Sequence, residues 1–412
     1  MSESQIRRVV IVGAGQGGGE AAHRLRHADP NLEITLIGEE PLAPYQRPPL
    51  SKKYLSGEWD VERLLLRPPS VYAEERIALL LKRKAVWIDR SAKRVRLEGG
   101  QELAYDALIL ATGAQPRKLP IAGADLAGVH TLRTAADVDA IKAHVKPGAN
   151  LVVIGAGYIG LEGAAVARQM GMDVTVLEAA VRPLARVTSP EVAGFFLDEH
   201  TAKGVRFELN AQVAVLKGTD RVRAVGLANG AEIPADIVIV GIGINPDTTL
   251  AQQSGLLVEN GIIVDKQMRT SDPSIYAIGD CVMRPLVHFD DRLSRLESVH
   301  NAIEGGKIAA AAILGQPHPA EEVPWFWSDQ YDLKLQIAGQ FQGYDKLVMR
   351  GDPKQRAFAA FYYHGGRLIA VDAVNRPAEY LGAKQLIQRG KSVAPELLAD
   401  LSKPMKEIVA SA

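Results

Sequence analysis

The chain has 412 residues, 47% of them hydrophobic, and its 48 basic and 48 acidic side chains cancel. That length exceeds what one core organises, so two or three domains are expected. A neutral chain also lacks the overall basic charge typical of nucleic-acid-binding proteins. The single cysteine, Cys281, excludes an internal disulfide and a cysteine-rich metal centre, and no metal site is expected from the nine histidines. The chain starts on polar residues without a charged-then-apolar leader, and nowhere are eighteen apolar residues consecutive. A cytoplasmic protein, with no membrane or nucleic-acid partner, is the expectation.

In chain order, residues 9–20 (VVIVGAGQGGGE) read as an apolar strand, a G-x-G-x-x-G turn and a helix of small residues. Gly13 suits the tight turn, Gly15 lets the backbone approach a pyrophosphate, and Gly18 lets the helix pack close to the strand. The phosphates then meet the helix N-terminus, where unpaired N–H groups and the dipole favour negative charge. Gly17 and Gly19 add glycine beyond the pattern, which is expected to loosen this loop slightly. The strand EITLIG (33–38) follows, and Glu39 at its end is placed to accept hydrogen bonds from ribose hydroxyls.

The same unit returns at residues 151–162 (LVVIGAGYIGLE), with Gly155, Gly157 and Gly160 matching Gly13, Gly15 and Gly18 at a constant offset of 142. Its second strand, DVTVLE (173–178), ends on Glu178. One such loop is a weak signal, because a plain strand–helix turn explains it equally well. Two copies, each with strand, helix and distal acid, point to two bound dinucleotides.

Two further strands end in turns: YDALILATG (105–113), closing on Thr112 and Gly113, and TSDPSIYAIGD (270–280), closing on Gly279 and Asp280. With these the chain resembles the two-dinucleotide flavoproteins that include glutathione reductase. The resemblance implies an α/β fold with two Rossmann-like dinucleotide-binding domains and a C-terminal α+β domain. FAD would occupy residues 1–117 and 245–320, NAD(H) residues 118–244, and an interface domain residues 321–412. It also implies that the Thr112–Gly113 turn links the FAD and NAD domains and that Asp280, beside Gly279, binds the ribityl or pyrophosphate region. For the second cofactor it implies contacts from Gly155, Gly157, Tyr158, Ile159, Gly160, Glu178 and Gly243. A carboxylate at Glu178 favours the 2′-hydroxyl of NADH and repels a 2′-phosphate, whereas Arg182, four residues on, is the side chain that would welcome the phosphate. NADH is expected. Tyr158 suits two roles, covering the flavin until nicotinamide arrives or packing the core.

The stretch EEPLAPYQRPPLSKKYL (39–55) holds no cysteine where disulfide reductases of this group carry their reactive thiols, so dithiol chemistry is excluded. R-P-P-L-S-K (47–52) stands there instead. Together with L-R-T (132–134), L-E-S-V-H-N-A (296–302), P-W-F-W-S-D-Q (324–330) and V-N-R-P (374–377), it resembles the NADH-dependent ferredoxin reductases of the putidaredoxin reductase and Rieske dioxygenase reductase type, over essentially the whole chain. That resemblance implies FAD and NADH as cofactors and hydride transfer to flavin. Single electrons would then pass to a 2Fe-2S ferredoxin serving a cytochrome P-450-type monooxygenase or a Rieske oxygenase. It places Lys52 near flavin N5 with Glu162 as its carboxylate partner, and Val299 at a helix N-terminus facing flavin O2 and N1. It adds FAD contacts at Gly17, Glu39, Ala85 and Arg133. Trp327, with Trp325, either walls the flavin or serves the core. Docking of an acidic ferredoxin would use Arg67, Lys307, Lys384 and Lys406 on a monomer or weak dimer. Two alternatives stay open: reduction of a small molecule such as a quinone or monodehydroascorbate, and slow redox sensing of the apoptosis-inducing-factor kind.

Overall fold

The structure, a computed structural model, describes residues 6–412; the polar start at residues 1–5 lies outside them. The chain divides into two compact units. One comprises residues up to 46, 62–115 and 245–322; the other comprises 47–61, 116–244 and 323–412.

The first unit is built on a parallel five-stranded sheet in the order Ile275–Ala277, Ala107–Leu110, Arg8–Val12, Glu33–Gly38, Ile77–Leu81. Its central strands are nearly uninterrupted Val, Ile and Leu because both faces of a parallel sheet are covered, and Val9 to Val12 and Ala107 to Leu110 are all buried. Strand order reverses between Arg8–Val12 and Ala107–Leu110, which opens a crevice at their C-terminal ends, the usual place for a ligand in such sheets. The helix Gln16–Ala28 covers this sheet and packs against the helix Val299–Ile313.

Glycine permits that close helix crossing. A Cβ on Gly306 would lie 3.2 Å from the Ala21 nitrogen and 3.3 Å from the Gly17 oxygen. One on Gly17 would meet Ala302 and Ile278 at 3.3 Å, and one on Gly19 would meet Pro44 at 2.8 Å. The extra glycines therefore tighten the packing, contrary to the expected loosening, and Gly17, expected among the FAD contacts, is buried at the crossing.

The second unit repeats the design with the parallel order Arg206–Leu209, Asp173–Glu178, Asn150–Ile154, Ile237–Val240, Val129–His130. It also contains an antiparallel sheet in the order Trp325–Gln330, Leu333–Gly339, Arg367–Val374, Ala357–His364, Lys346–Asp352, backed by the helix Pro377–Gln388. Thr188, just before the helix Pro190–Ala202, ties that segment to the antiparallel sheet: its hydroxyl donates to Asp372, which also accepts a 2.6 Å bond from Tyr362.

The contact division departs from the motif-based boundaries at residues 47–61. Arg47 donates to the Arg133 carbonyl at 2.6 Å, and the Tyr54 hydroxyl donates to Asp139 at 2.8 Å. The Lys142 ammonium sits 3.4 Å from the Tyr54 ring centroid. These bonds tie the R-P-P-L-S-K segment to the second unit. Among the described residues no helix is long and apolar enough to cross a membrane.

Candidate functional site

Each glycine loop ends a buried strand and opens a helix. Gly13 and Gly155 have φ +113° and +104°, a region that L side chains rarely adopt. A Cβ on Gly13 would lie 2.1 Å from the Ala111 oxygen, and one on Gly155 would lie 2.4 Å from the Gly241 oxygen. Gly18 and Gly160 are confined in the same way, 2.0 and 2.3 Å from the Gly13 and Gly155 oxygens. Gly15 and Gly157 differ, because a Cβ on either would meet nothing within 4 Å.

These two glycines are the N-caps of the helices Gln16–Ala28 and Tyr158–Gln169, and neither helix has a side-chain cap or a first-turn acid. By contrast, Thr134, Ser189 and Ser298 cap the helices that follow them. The first N–H groups of a helix need a partner. Two bare helix starts, each with open space over a side-chain-free residue, fit the pyrophosphates of two dinucleotides.

The second loop carries more than a cradle. Pro48 and Pro49 fix a short 3₁₀ turn, Pro48–Ser51, that delivers Ser51 and Lys52 to Glu162 in the first turns of the helix Tyr158–Gln169. Glu162 is 1% exposed. It accepts from the Lys52 ammonium at 2.6 Å, the Ser51 hydroxyl at 2.5 Å and the Ser328 hydroxyl at 2.7 Å. Lys52 also donates to the Pro48 carbonyl at 3.2 Å.

Behind Ser328 a chain of side chains continues. The Gln330 amide donates to Ser328 at 3.1 Å, and the Gln330 carbonyl lies 2.8 Å from His200 Nε2. Burial pushes His200 down to about 4, although the Gln330 bond opposes the shift, so the ring is neutral at pH 7. It therefore donates to Gln330, which fixes the amide and through it the Ser328 hydroxyl.

Tyr158 packs on Phe326 with ring centroids 5.1 Å apart, and burial, with Asp372, Tyr362 and Glu162 nearby, raises its hydroxyl well above the usual range. Ile159 is 43% exposed beside the bare helix start, an apolar surface available to a ligand. Glu178 accepts from the Ala156 and Ala180 backbone N–H groups at 2.7 and 2.8 Å, so it buttresses the loop as well as ending the strand. Arg182 donates to the Pro183, Ala185 and Thr188 carbonyls, which directs it away from any phosphate role. Gly243 accepts from the Arg117 backbone at 3.0 Å.

In the first unit, Thr112 donates to the Asp247 carbonyl at 2.6 Å and Gly113 accepts from the Asp247 N–H. Gly279 and Asp280 form a 3₁₀ turn after Ile275–Ala277, and the Gly279 carbonyl accepts from buried Asn301 at 3.2 Å. Val299 opens its helix as expected. Ala85 is buried, while Glu39 is exposed and lies 3.5 Å from Lys84. Arg133 and Trp327 belong to the second unit with Lys52, apart in the chain from the other expected FAD contacts. Trp325 and Trp327 lie 5.7 Å apart, and Lys384 lies 5.4 Å from the Trp325 ring. Lys406 is exposed, and Arg67 and Lys307 are half-buried.

Residues 7–306 match the pyridine nucleotide-disulphide oxidoreductase family and residues 325–409 the reductase C-terminal family. The chain belongs to the pyridine nucleotide-disulphide oxidoreductase family. It is 45% identical over 406 residues to the probable ferredoxin reductase CtmF of Castellaniella defragrans, covering 98% of each chain. It is 44% identical over 410 residues to putidaredoxin reductase CamA of Pseudomonas putida, covering 98% of this chain and 97% of that protein. Among solved structures, the covalent putidaredoxin reductase–putidaredoxin complex contains a chain that superposes with a TM-score of 0.96 at 43% identity, covering 98% of this chain and 99% of that one. As a member of this pyridine nucleotide-disulphide oxidoreductase family the protein is an oxidoreductase that works with FAD and NADH.

Unlike the disulphide-reducing members that the family name describes, this oxidoreductase has no thiol pair. Cys281 is fully buried, and burial raises its pKa, so it offers no ready thiolate. Sequence reasoning paired Lys52 with Glu162 but missed Ser51, Ser328, Gln330 and His200. The signal for Ser328 and Gln330 was present in P-W-F-W-S-D-Q, where alternate strand positions face one side.

Proposed function

We propose that this chain is the NADH-dependent flavoprotein reductase of an oxygenase system, reducing a 2Fe-2S ferredoxin that feeds a P-450-type or Rieske oxygenase. The observation that carries this reading is the pair of bare glycine-loop helices in a chain whose one cysteine is buried. The names of the relatives, putidaredoxin reductase among them, support it. FAD held there would supply two-electron acceptance from NADH and single-electron release, which suits a one-electron iron–sulfur carrier.

In this reading the first unit holds FAD through Gly13, Gly15 and Gly18, with Glu39, Ala85, Thr112, Gly113, Gly279 and Asp280 around it. The dipole of the helix beginning at Val299 favours negative charge near its start. Lys52, Arg133 and Trp327, the other residues expected to touch the flavin, lie in the second unit. That unit takes NADH through Gly155, Gly157, Tyr158, Ile159, Gly160, Glu178 and Gly243. Glu162 holds the Lys52 ammonium in place, since it accepts from that group and from two hydroxyls in a buried position. Lys52 uses two of its three N–H groups on Glu162 and Pro48, which leaves the third for a ligand atom. Arg67, Lys307, Lys384 and Lys406 steer an acidic ferredoxin, and the enzyme works in the cytoplasm.

Steady-state NADH oxidation by the FAD-loaded protein, with a 2Fe-2S ferredoxin, a quinone or ferricyanide as acceptor, tests the assignment. Acceleration by the ferredoxin well above background is expected. Turnover with a quinone but none with any ferredoxin would favour the small-molecule alternative, and failure of NADH to bleach the flavin would favour the redox-sensing one.

A further inference from the structure

His23 and His27 stand one turn apart on the helix Gln16–Ala28, and Glu75 caps the end of the helix Pro69–Glu74 beside them. Their His-x₃-His spacing runs against the expectation of no metal site from the histidines. His23 Nδ1 lies 3.0 Å from a Glu75 carboxylate oxygen and His27 Nε2 lies 3.2 Å from the same oxygen. The two ring centroids are 4.1 Å apart, and one donor atom from each of the three residues falls within 4.8 Å of the others. Tetrahedral zinc, with bonds of about 2.0–2.1 Å, sets neighbouring donors roughly 3.3 Å apart. Two of the three edges are already near that value, and only the histidine–histidine edge need close.

The surrounding charges do not oppose a cation. Arg24 is paired with Glu20 at 2.6 Å, while Arg26 is committed to the Pro30, Leu32 and Arg76 carbonyls and Arg76 to the Pro30 carbonyl. Two imidazoles and one carboxylate suit zinc rather than calcium or magnesium, which prefer oxygen ligands.

We propose that His23, His27 and Glu75 form a zinc(II) site, with water as the fourth ligand on the solvent side where His27 is exposed. In the bound site each ring presents the nitrogen that now faces Glu75 to the ion and carries its proton on the other ring nitrogen. The ion would tie the helix carrying the first glycine loop to the segment entering the strand Ile77–Leu81. It would stabilise this unit without taking part in electron transfer.

The test titrates Zn²⁺ by calorimetry into chelator-treated, FAD-loaded protein and compares wild type with His27→Gln and Glu75→Gln, following thermal melting with and without Zn²⁺. Flavin absorbance checks that each variant is folded. Wild type should bind one equivalent and melt a few degrees higher with zinc. Each variant should lose affinity by more than about tenfold, since even outer-shell partners of a metal are worth that much, and should lose the melting shift. NADH–ferricyanide turnover should be unchanged in both variants. The site is overturned if wild type binds no zinc, or if either flavin-loaded variant binds it as tightly as wild type.

Discussion

Glu20 and Glu162 occupy the same place in the two glycine-loop repeats, two residues past the third motif glycines Gly18 and Gly160, yet they do different work. Glu20 pairs with Arg24 one turn along its own helix, and that arginine is 48% exposed. Such a surface pair is worth about 0.3–0.5 kcal/mol. Glu162 is buried and joins the Lys52 ammonium to the Ser51 and Ser328 hydroxyls. Breaking a buried pair by removing one partner costs about 3–5 kcal/mol. The repeat thus fixes the phosphate cradle twice, and what is brought against the following turn decides which copy gains a charged centre. The distal acids diverge as well: Glu39 is a surface carboxylate near Lys84, whereas Glu178 holds two backbone N–H groups of its own loop and strand end.

The largest effect should come from closing either cradle. Gly13→Ala and Gly155→Ala each force a Cβ into a backbone oxygen, with backbone strain of about 1–3 kcal/mol in addition to the clash. Gly13→Ala is expected to purify with little or no flavin. Gly155→Ala should stay yellow but bind NADH about 10²-fold more weakly, because each 1.4 kcal/mol is a factor of ten. The flavin content and the NADH concentration dependence of flavin reduction distinguish the two. Equal flavin loss in both variants would mean that the two loops are not separate sites.

A smaller change is expected from Glu178→Gln, which keeps one acceptor for the loop but removes the charge that, on the proposed reading, would repel a 2′-phosphate. The ratio of NADH to NADPH efficiency should fall by roughly tenfold, the weight of about 1.4 kcal/mol. An unchanged ratio would confine Glu178 to the buttressing already visible in its bonds to Ala156 and Ala180.

A change that appears only at acid pH, and is absent under the conditions of the tests above, concerns the chain behind Ser328. His200 has a folded-state pKa near 4, below its ordinary value of about 6.5. Its contribution to stability is therefore complete above about pH 6.5 and is lost as pH falls through about 4, by at most about 3 kcal/mol. Melting curves between pH 7 and pH 4 should show a steeper loss for wild type than for His200→Gln. Parallel curves would remove His200 from this account.

Much of this was legible in the sequence, because the cradles depend on local rules. A strand, three spaced glycines and a helix specify their own geometry wherever they occur, and both repeats fold as read. The Lys52–Glu162 pair came from resemblance rather than from spacing, since 110 residues separate the two. Ser328, Gln330 and His200 escaped notice because polar residues on a strand or helix declare a partner only after the sheets are packed. The extra glycines were misjudged for the same reason: Gly17 and Gly19 read as loop residues, but the distant residues Ala302, Ile278 and Pro44 leave them no room for a side chain. Position in the chain puts the segment 47–61 with the first unit, whereas Arg47, Ser51, Lys52 and Tyr54 bond within the second unit, to which it belongs.

The central claim is that the second loop, and not the first, carries the charged centre for hydride transfer. Anaerobic stopped-flow reduction of the bound flavin by NADH, followed at its visible band, compares Glu162→Gln with Glu20→Gln. Glu162→Gln should retain FAD yet reduce it about 10²-fold more slowly, as misplacing a positioning group can cost that much, while Glu20→Gln should match wild type. Wild-type reduction in Glu162→Gln, or equal slowing in both variants, would contradict the account.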